Sequence, residues 1–222
     1  MSFQADARRI LRVNAWADWN WLDHGFGTKE SGQWAPSHQT ATLKQIHSDI
    51  VVRVDGQRGQ LGEGDGLITD EQGVYLTIRT ADCVPILLVD PVQRVVGAVH
   101  AGWRGTAASI AVRAVERMQV EFGCSAGEIR AAIGPCIQQC CYEVGADVAS
   151  RFHPWFPELA EVTAPVNIDL VEANRRQLAQ AGLSRIESLG ACTLCVPDGF
   201  HSFRRDKDES GRMVTGIAIL AS

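Results

Sequence analysis

The strongest constraint on the fold lies between residues 74 and 122, where three short apolar runs are followed by an amphipathic stretch. The three runs are rich in β-branched and other apolar side chains, as is typical of buried strands, and comprise residues 74–79, 84–89 and 95–100. The amphipathic stretch has one apolar stripe at helical spacing, formed by Ala111, Val115, Met118 and Phe122. Three successive strands favour an antiparallel meander that leads into a helix over residues 106–122.

The rest of the chain mixes strands and helices without strict βαβ alternation. Further strands are predicted at residues 50–54, 130–133 and 213–220, and a second helix at residues 169–181. The 222 residues contain no repeat, low-complexity tract or linker, and they suffice for one large domain. We therefore predict a single domain, residues 1–222, of the broad α/β class, which includes α+β, with mixed sheets.

Composition argues against several classes of protein. The net charge of −5 disfavours a general nucleic-acid-binding protein. No apolar run approaches the ~20 residues that a membrane-spanning helix needs, and the polar, Trp-rich N-terminal segment lacks the apolar core of a signal peptide. Seven cysteines, an odd number, indicate free thiols in a reducing compartment. We expect a cytoplasmic protein that binds neither nucleic acid nor membranes.

Reactive side chains stand where predicted strands begin or end. His47 precedes the strand at residues 50–54, Cys83 lies between two strands, and His100 closes a third. Side chains at such junctions can meet over one end of a sheet and shape a pocket. Two histidines and a cysteine form a sensible zinc or copper ligand set with an open position. They also suit a thiolate–imidazole pair for nucleophilic catalysis, and their spacing is equally consistent with buried, inert side chains.

Other candidates carry charge or sulfur. Arg104 lies directly before the predicted helix, where backbone amides favour an anion, and Arg204 and Lys29 are further cations that suit phosphate. The remaining thiols include one CxxC pair, Cys192 and Cys195, and an upstream group formed by Cys136, Cys140 and Cys141. A structural zinc site at these cysteines is one alternative, but because there is only one CxxC pair and the spacing matches no common zinc motif, we favour thiols that bind no metal.

Several of these segments resemble one family. They include LKQIHSDIV (43–51), TADCVP (80–85), HAGWRG (100–105), AAIGPCIQQCCYEVG (131–145) and CTLCVPDGFHSFRRD (192–206). The pair formed by TADC-x-P and HAGWRG is highly specific, and the similarity covers nearly all of the chain from residue 43 onward. The sequence resembles the bacterial laccase-domain family, whose members are also described as multicopper polyphenol oxidoreductase-like proteins, purine nucleoside phosphorylases and peptidoglycan editing factors.

The resemblance implies a single layered α/β/β/α domain with mixed β-sheets and a metal-binding and catalytic set of His47, Cys83 and His100. It implies zinc as the usual metal, with copper as an alternative, in a monomer or weak homodimer. The implied reactions are adenosine deamination and the phosphorolysis of purine nucleosides, namely adenosine, inosine, guanosine and methylthioadenosine. Asp82, beside Cys83, is either a catalytic proton shuttle or a turn-forming residue.

The chain departs from the family pattern at one corner. Only 15 residues separate HGFGTK (24–29) from Gln45, where the family has a longer segment with a helix, and Lys29 stands in place of the usual arginine. Lysine can still pair with phosphate, although only as a point charge. The predicted contacts to substrate and phosphate are Lys29, Gln45, Arg104 and Arg204.

Two other reactions and one non-catalytic role compete with phosphorolysis. A copper-dependent polyphenol oxidase of the laccase type needs a second, histidine-rich copper cluster, and the four histidines that remain after His47 and His100 are too few. An amide hydrolase that edits peptidoglycan precursors would use Cys83 as nucleophile with His100. A simple binding module would leave the reactive groups at the strand ends unexplained.

Overall fold

The computed structural model describes residues 2–159 and 161–221. Its helices are α1 (Trp103–Ala107), α2 (Ile110–Phe122), α3 (Ala146–Ala149), α4 (Leu170–Gln180) and α5 (Phe203–Asp206). Its strands are β1 (Phe3–Ala5), β2 (Leu11–Val13), β3 (Leu22–Phe26), β4 (Thr40–Lys44), β5 (Val51–Arg53), β6 (Gly59–Glu63), β7 (Gly66–Thr69), β8 (Tyr75–Thr80), β9 (Val84–Asp90), β10 (Val95–Ala101), β11 (Arg130–Ile133), β12 (Glu143–Val144), β13 (Val166–Asn167), β14 (Arg185–Ser188) and β15 (Met213–Ile219). None of the helices among the described residues has the length and apolar character needed to cross a membrane.

Two mixed sheets pack face to face. One has seven strands in the order β1-β2-β3-β15-β8-β4-β6, and the other has six in the order β14-β11-β9-β10-β7-β5. Side chains from both sheets fill the space between them, including Leu76 and Ile217 from the first and Leu87, Val96 and Ala98 from the second. Both sheets combine parallel with antiparallel pairs. The predicted mixed α/β class is therefore confirmed.

Within the described residues, α2 and α4 cover the outer face of the six-stranded sheet. Side chains of β9 and β10 that point away from the seven-stranded sheet, such as Ile86 and Val99, pack against the apolar stripe of α2 and against α4. On the outer face of the seven-stranded sheet, the indole nitrogen of Trp34 donates to the carbonyl of Val214 at 2.9 Å. The segment that contains Trp34 has one 3₁₀ turn, Ser37–Gln39. The part of this outer layer that contains Trp34 is therefore a loop with one 3₁₀ turn.

The predicted three-strand meander is wrong. β9 and β10 form an antiparallel hairpin, but β8 belongs to the other sheet, where it pairs with β15 and β4. The chain crosses between the sheets at residues 81–83, where Asp82 has a left-handed φ of 86°. Apolar periodicity indicates that a strand is buried, and buried strands of two facing sheets share that pattern. The crossing places Cys83 in the connection between the sheets.

The long helix predicted after β10 begins earlier than expected and is interrupted. α1 starts at Trp103, and the chain leaves the helical region at Ser109, whose φ is 59°, before α2 begins. Side chains of α4 stabilise the interruption: Asn174 donates to the hydroxyl of Thr106 at 3.0 Å, and Gln177 donates to the carbonyl of Thr106 at 2.9 Å. The other predicted elements, β5, β11, β15 and α4, agree with the structure to within one residue at each end.

Buried His24 makes the stability of this fold sensitive to mild acid. Its Nε2 accepts a hydrogen bond from the amide of Val13 at 2.9 Å, and its ring centroid lies 4.9 Å from that of Trp16. Burial, together with the charge of Arg12, lowers the pKa of His24 from 6.5 to about 4. Between these pH values the unfolded chain takes up a proton that the folded chain excludes. The free energy of unfolding therefore falls as the pH falls, by up to about 3 kcal/mol.

The variant His24→Gln should lose this component of the pH dependence. Urea unfolding at about pH 7 and about pH 5 should show a smaller drop in the free energy of unfolding for His24→Gln than for the wild type. His38→Gln is the matched control, because His38 is exposed. An equal drop in the wild type and in His24→Gln would contradict the assignment to His24.

Candidate metal centre and active site

The three predicted metal ligands converge at one end of the six-stranded sheet. Because Ala101 of β10 pairs with Val84 of β9, Cys83 at the start of β9 lies beside the end of β10, where His100 is placed. His47 follows β4 in a tight turn with a φ of 59°. The donor atoms of these two histidines and the cysteine all lie within 4.8 Å of one another. The two imidazole centroids are 5.0 Å apart, at an interplanar angle of 70°.

Asp65 holds two of these ligands in place and is a site residue that the sequence pattern did not reveal. Its side chain is fully buried. Oδ1 is hydrogen-bonded to Nδ1 of His100 at 2.8 Å and accepts the amide of His47 at 3.1 Å. Oδ2 accepts the amide and the hydroxyl of Ser48 at 2.6 and 2.7 Å. With Nδ1 engaged by a carboxylate, Nε2 of His100 is left for a metal, as in carboxylate–histidine–metal arrangements.

Neighbouring groups favour a thiolate at Cys83. Burial raises the pKa of this thiol, but hydrogen bonds from His100 and His47 outweigh burial and lower the pKa to about 6. Burial opposes a charge on His100 as well, whereas the bonds to Asp65 and Cys83 raise the pKa of its imidazole to about 9. The thiolate is the form in which a cysteine acts as a metal ligand or as a nucleophile.

The donor set fits a divalent metal ion. Two imidazoles and one thiolate match the preferences of zinc and copper, and three protein ligands leave one coordination position open. Gly102 is required beside them, because a Cβ at this position would lie 2.9 Å from Cδ2 of His47 and 3.1 Å from Sγ of Cys83. The backbone of the HAGWRG turn thus packs directly against the ligands, and a side chain there would displace them.

The three ligands line a cavity of about 510 Å³, a size typical of small-molecule sites. Its apolar lining consists of Leu43, Ala81, Trp103, Ile137, Tyr142, Leu170 and Phe203. Its cationic lining consists of Arg79, Arg104, Arg204 and Arg212. Flat apolar surfaces beside guanidinium groups suit a ligand that combines an aromatic ring with an anionic group.

Three of the four cavity arginines lie over aromatic rings. The distances from guanidinium carbon to ring centroid are 4.5 Å for Arg104 and Trp103, 5.4 Å for Arg204 and Tyr142, and 5.7 Å for Arg212 and Phe203. No carboxylate within residues 2–159 and 161–221 forms an ion pair with any of the four arginines. Their charges are therefore available to an anionic ligand.

Two of the four predicted substrate contacts line the cavity as cations, namely Arg104 and Arg204. Gln45 also borders the cavity, but both ends of its side-chain amide bond to the backbone of Arg79, at 2.8 Å each. Lys29 lies outside the cavity lining, and its amide donates to the carbonyl of Gly199 at 2.9 Å. From residues 29–44 only Leu43 lines this cavity, so neither Lys29 nor the shortened segment after it contributes a cation.

Both carboxylate oxygens of Asp82 accept hydrogen bonds. Oδ1 accepts the hydroxyl of Thr193 and Oδ2 accepts the amide of Arg204, each at 2.6 Å. Its backbone carbonyl accepts the amide of Ile137 at 2.9 Å. These bonds tie the turn that carries Cys83 to two loops across the cavity. Of the two predicted roles of Asp82, the geometry favours the turn-forming one.

Five residues of the site were missed by the sequence pattern: Asp65, Arg79, Tyr142, Phe203 and Arg212. The clearest local signal was that of Asp65, which stands between two glycines directly before an apolar strand. Tyr142 and Phe203 lie within the matching segments 131–145 and 192–206, but nothing in those segments assigns them to a site, and Arg79 and Arg212 lie outside the quoted segments. Only the folding of distant segments onto one cavity distinguishes them.

Known proteins are similar to this chain in sequence. Residues 29–220 match the family described as multi-copper polyphenol oxidoreductase laccase. A protein of Clostridium acetobutylicum named purine nucleoside phosphorylase is 34% identical over 207 residues, which cover 89% of this chain and 87% of that protein. A protein from an unknown prokaryotic organism named adenosine deaminase is 40% identical over 172 residues, which cover 74% of this chain and 65% of that protein.

The fold is also shared with a solved structure. The crystal structure of YlmD from Geobacillus stearothermophilus is similar with a TM-score of 0.89 at 32% identity, and the match covers 99% of both chains. These similarities confirm the family resemblance carried by the TADC and HAGWRG motifs. The chain belongs to the multi-copper polyphenol oxidoreductase laccase family.

Proposed function

We propose that this protein cleaves purine nucleosides with inorganic phosphate, releasing the base and a ribose 1-phosphate, at a zinc centre held by His47, Cys83 and His100. One observation carries the proposal: a single cavity contains this ligand set together with four arginines that have no carboxylate partner among the described residues. The name purine nucleoside phosphorylase, borne by a similar protein, supports the same reaction.

The cavity arginines suit the phosphate nucleophile. A guanidinium presents paired donors to phosphate oxygens. Arg104 and Arg204 each lie over an aromatic ring, and both terminal nitrogens of Arg204 also donate to the carbonyl of Glu143 at 3.2 Å. These contacts hold the guanidinium groups in one orientation. Fixing the phosphate against the sugar carbon is the contribution that we assign to them.

The apolar lining suits the nucleoside. The rings of Trp103, Tyr142 and Phe203 provide flat surfaces for a purine. As the glycosidic bond breaks, negative charge develops on the departing base, and preorganised charges in the cavity stabilise it. When bound, a divalent metal supplies Lewis acidity at its open coordination position. Because apolar surfaces discriminate weakly between similar ligands, we propose adenosine, inosine, guanosine and methylthioadenosine as substrates.

We propose deamination of adenosine as a second reaction of the same site. The three-ligand set leaves one coordination position facing the cavity, and a similar protein is named adenosine deaminase. In this proposal Asp82 is a positioning residue rather than the proton shuttle, because both of its oxygens already accept hydrogen bonds from Thr193 and Arg204.

The test is the phosphate dependence of adenine release. Purified protein should release adenine from adenosine only when phosphate is present, with ribose 1-phosphate formed in an amount equal to the sum of adenine and hypoxanthine. Without phosphate, inosine from deamination should be the only product. Adenine release that is independent of phosphate would contradict the phosphorylase proposal. Activity that survives a chelator but not alkylation of Cys83 would favour the thiol hydrolase instead.

Arg104→Met should weaken phosphate binding selectively. The change removes one cavity cation and keeps a long apolar side chain beside Trp103. Loss of a charge-assisted contact should raise the KM for phosphate by about 10- to 100-fold, with a smaller change for adenosine. Arg113→Met, at an exposed arginine paired with Asp49, is the matched control in steady-state assays. Equal changes in both KM values would show that Arg104 does not contact the phosphate.

A further inference from the structure

Four cysteines that the proposed reaction does not use meet at the protein surface. This cysteine cluster consists of Cys140, Cys141, Cys192 and Cys195, and its sulfur atoms all lie within 4.8 Å of one another. Sγ of Cys195 is 3.7 Å from that of Cys140 and 3.3 Å from that of Cys141, and the latter two are 3.5 Å apart. The four sulfurs therefore converge on one point, although the spacing along the sequence favoured thiols that bind no metal over a structural zinc site.

Two chain segments bring the cluster together. A parallel bridge between Cys136 and Cys192 aligns the loop after β11 with the loop before α5. Tight turns then reverse both segments: the amide of Cys141 bonds to the carbonyl of Gln138 at 2.9 Å, and the amide of Val196 bonds to the carbonyl of Cys192 at 3.1 Å. The adjacent pair on one loop and the CxxC pair on the other consequently face each other.

The sulfur spacing matches a tetrahedral thiolate site. Zinc–sulfur bonds of about 2.3 Å in a tetrahedron place neighbouring sulfurs about 3.8 Å apart. The measured separations of 3.3, 3.5 and 3.7 Å are close to this value. Small side-chain rotations therefore suffice to reach the bound geometry. All four cysteines are free thiols, so none is committed to a disulfide.

Backbone amides already point at one of the sulfurs. The backbone groups of Gln138, Cys195 and Leu194 hydrogen-bond to Cys192. Hydrogen bonds to the ligand groups are a common outer feature of metal sites, because they orient the ligands and stabilise their charge.

We propose that the cysteine cluster binds one zinc ion in a closed tetrathiolate site. Four protein ligands leave no coordination position for a reactant, so this site is structural rather than catalytic. Each binding thiol releases its proton to solvent as the zinc–sulfur bond forms, and the step needs no oxidant or reductant. The sulfurs lie at or near the surface, where a metal ion can reach them.

A zinc ion at the cysteine cluster would connect two loops that line the cavity. One of its loops carries Tyr142, and the other leads into Phe203 and Arg204, all of which line the cavity. Where these two loops face each other at the cavity, Arg204 donates to the carbonyl of Glu143 at 3.2 Å. A metal cross-link would hold the two walls of the cavity together more firmly than such bonds do.

Zinc content per chain tests the proposal. Wild-type protein purified under reducing conditions without chelators should hold about one zinc more than Cys141→Ser/Cys195→Ser. The same comparison in the Cys83→Ala background removes a ligand of the other centre, so that the zinc that remains belongs to the cysteine cluster. If the His47–Cys83–His100 centre does not bind zinc at all, the cluster variant should still hold about one zinc less than its parent protein. The two proposals can therefore fail independently. Cys124→Ser, at a buried cysteine outside both centres, is the matched control and should keep the wild-type content.

X-ray absorption of Cys83→Ala gives a second measurement that does not depend on the folding of a cluster variant. Four sulfurs at about 2.3 Å from zinc support the proposal, whereas nitrogen ligands at about 2.0–2.1 Å overturn it. Removal of zinc from the same variant should accelerate amide hydrogen exchange in residues 136–145 and 189–205. Unchanged zinc content in Cys141→Ser/Cys195→Ser, or disulfides within the cluster of the freshly purified protein, would also overturn it.

Discussion

Cys83→Ala is expected to reduce the phosphorolysis of adenosine by about 1,000-fold or more. The change leaves two imidazoles, which hold a divalent metal far more weakly than a set that includes a thiolate. Lewis-acid stabilisation amounts to several kcal/mol, and each 1.4 kcal/mol corresponds to about tenfold in rate. The measurement is the initial rate of adenine formation at saturating phosphate, with the zinc content determined on the same sample.

Cys124→Ala is the matched control for this prediction. Cys124 is also buried and free, but it lies in the core beside α2 and does not line the cavity. It should keep both the wild-type rate and the wild-type zinc content. Wild-type activity in Cys83→Ala would show that the chemistry takes place without the three-ligand centre, and the proposed mechanism would have to be abandoned.

Asp65→Asn is expected to weaken zinc binding by about 10- to 100-fold and to lower the free energy of unfolding by about 3 kcal/mol. Oδ1 of Asp65 is hydrogen-bonded to Nδ1 of His100 and to the amide of His47, and Oδ2 accepts the amide and the hydroxyl of Ser48. Either orientation of an asparagine turns its NH₂ group, which only donates, toward one of these donor sets. The imidazole of His100 then loses the partner that fixes its orientation.

Asp90→Asn is the matched control, which separates an effect on zinc affinity from a general loss of folding stability. Asp90 is also a buried aspartate, and it accepts the amides of Val92 and Gln93 at 2.8 and 3.0 Å. It ends the strand that begins beside Cys83, roughly 20 Å away. Competition with a chromophoric chelator should find wild-type zinc affinity in Asp90→Asn and a lowered affinity in Asp65→Asn. Equal affinities in the two variants would restrict Asp65 to a purely structural role.

Much of the fold and the core of the site could be predicted from the residues, because the relevant signals are local. The spacing of apolar side chains over a few residues indicates whether a strand or one face of a helix is buried. β9, β10 and the C-terminal end of α2 were therefore predicted close to their observed bounds. Cys83 and His100 stand in short motifs at strand ends, and the family resemblance that these motifs carry implied the candidate ligand set before any distance was known.

The pairing of distant segments was decided only by the tertiary structure. Apolar spacing does not indicate which sheet a buried strand joins, so the crossing at Asp82 and the place of β8 in the seven-stranded sheet were not predicted. Asp65 is 35 residues from His100, and the two halves of the cysteine cluster are separated by more than 50 residues. Their side chains meet because of strand register and loop packing, and no spacing along the chain encodes either one. Of the four cavity arginines, Arg79 and Arg212 likewise could not be recognised from the sequence. The fold brings all four to the cavity beside the proposed metal ligands, and no carboxylate among the described residues pairs with them there.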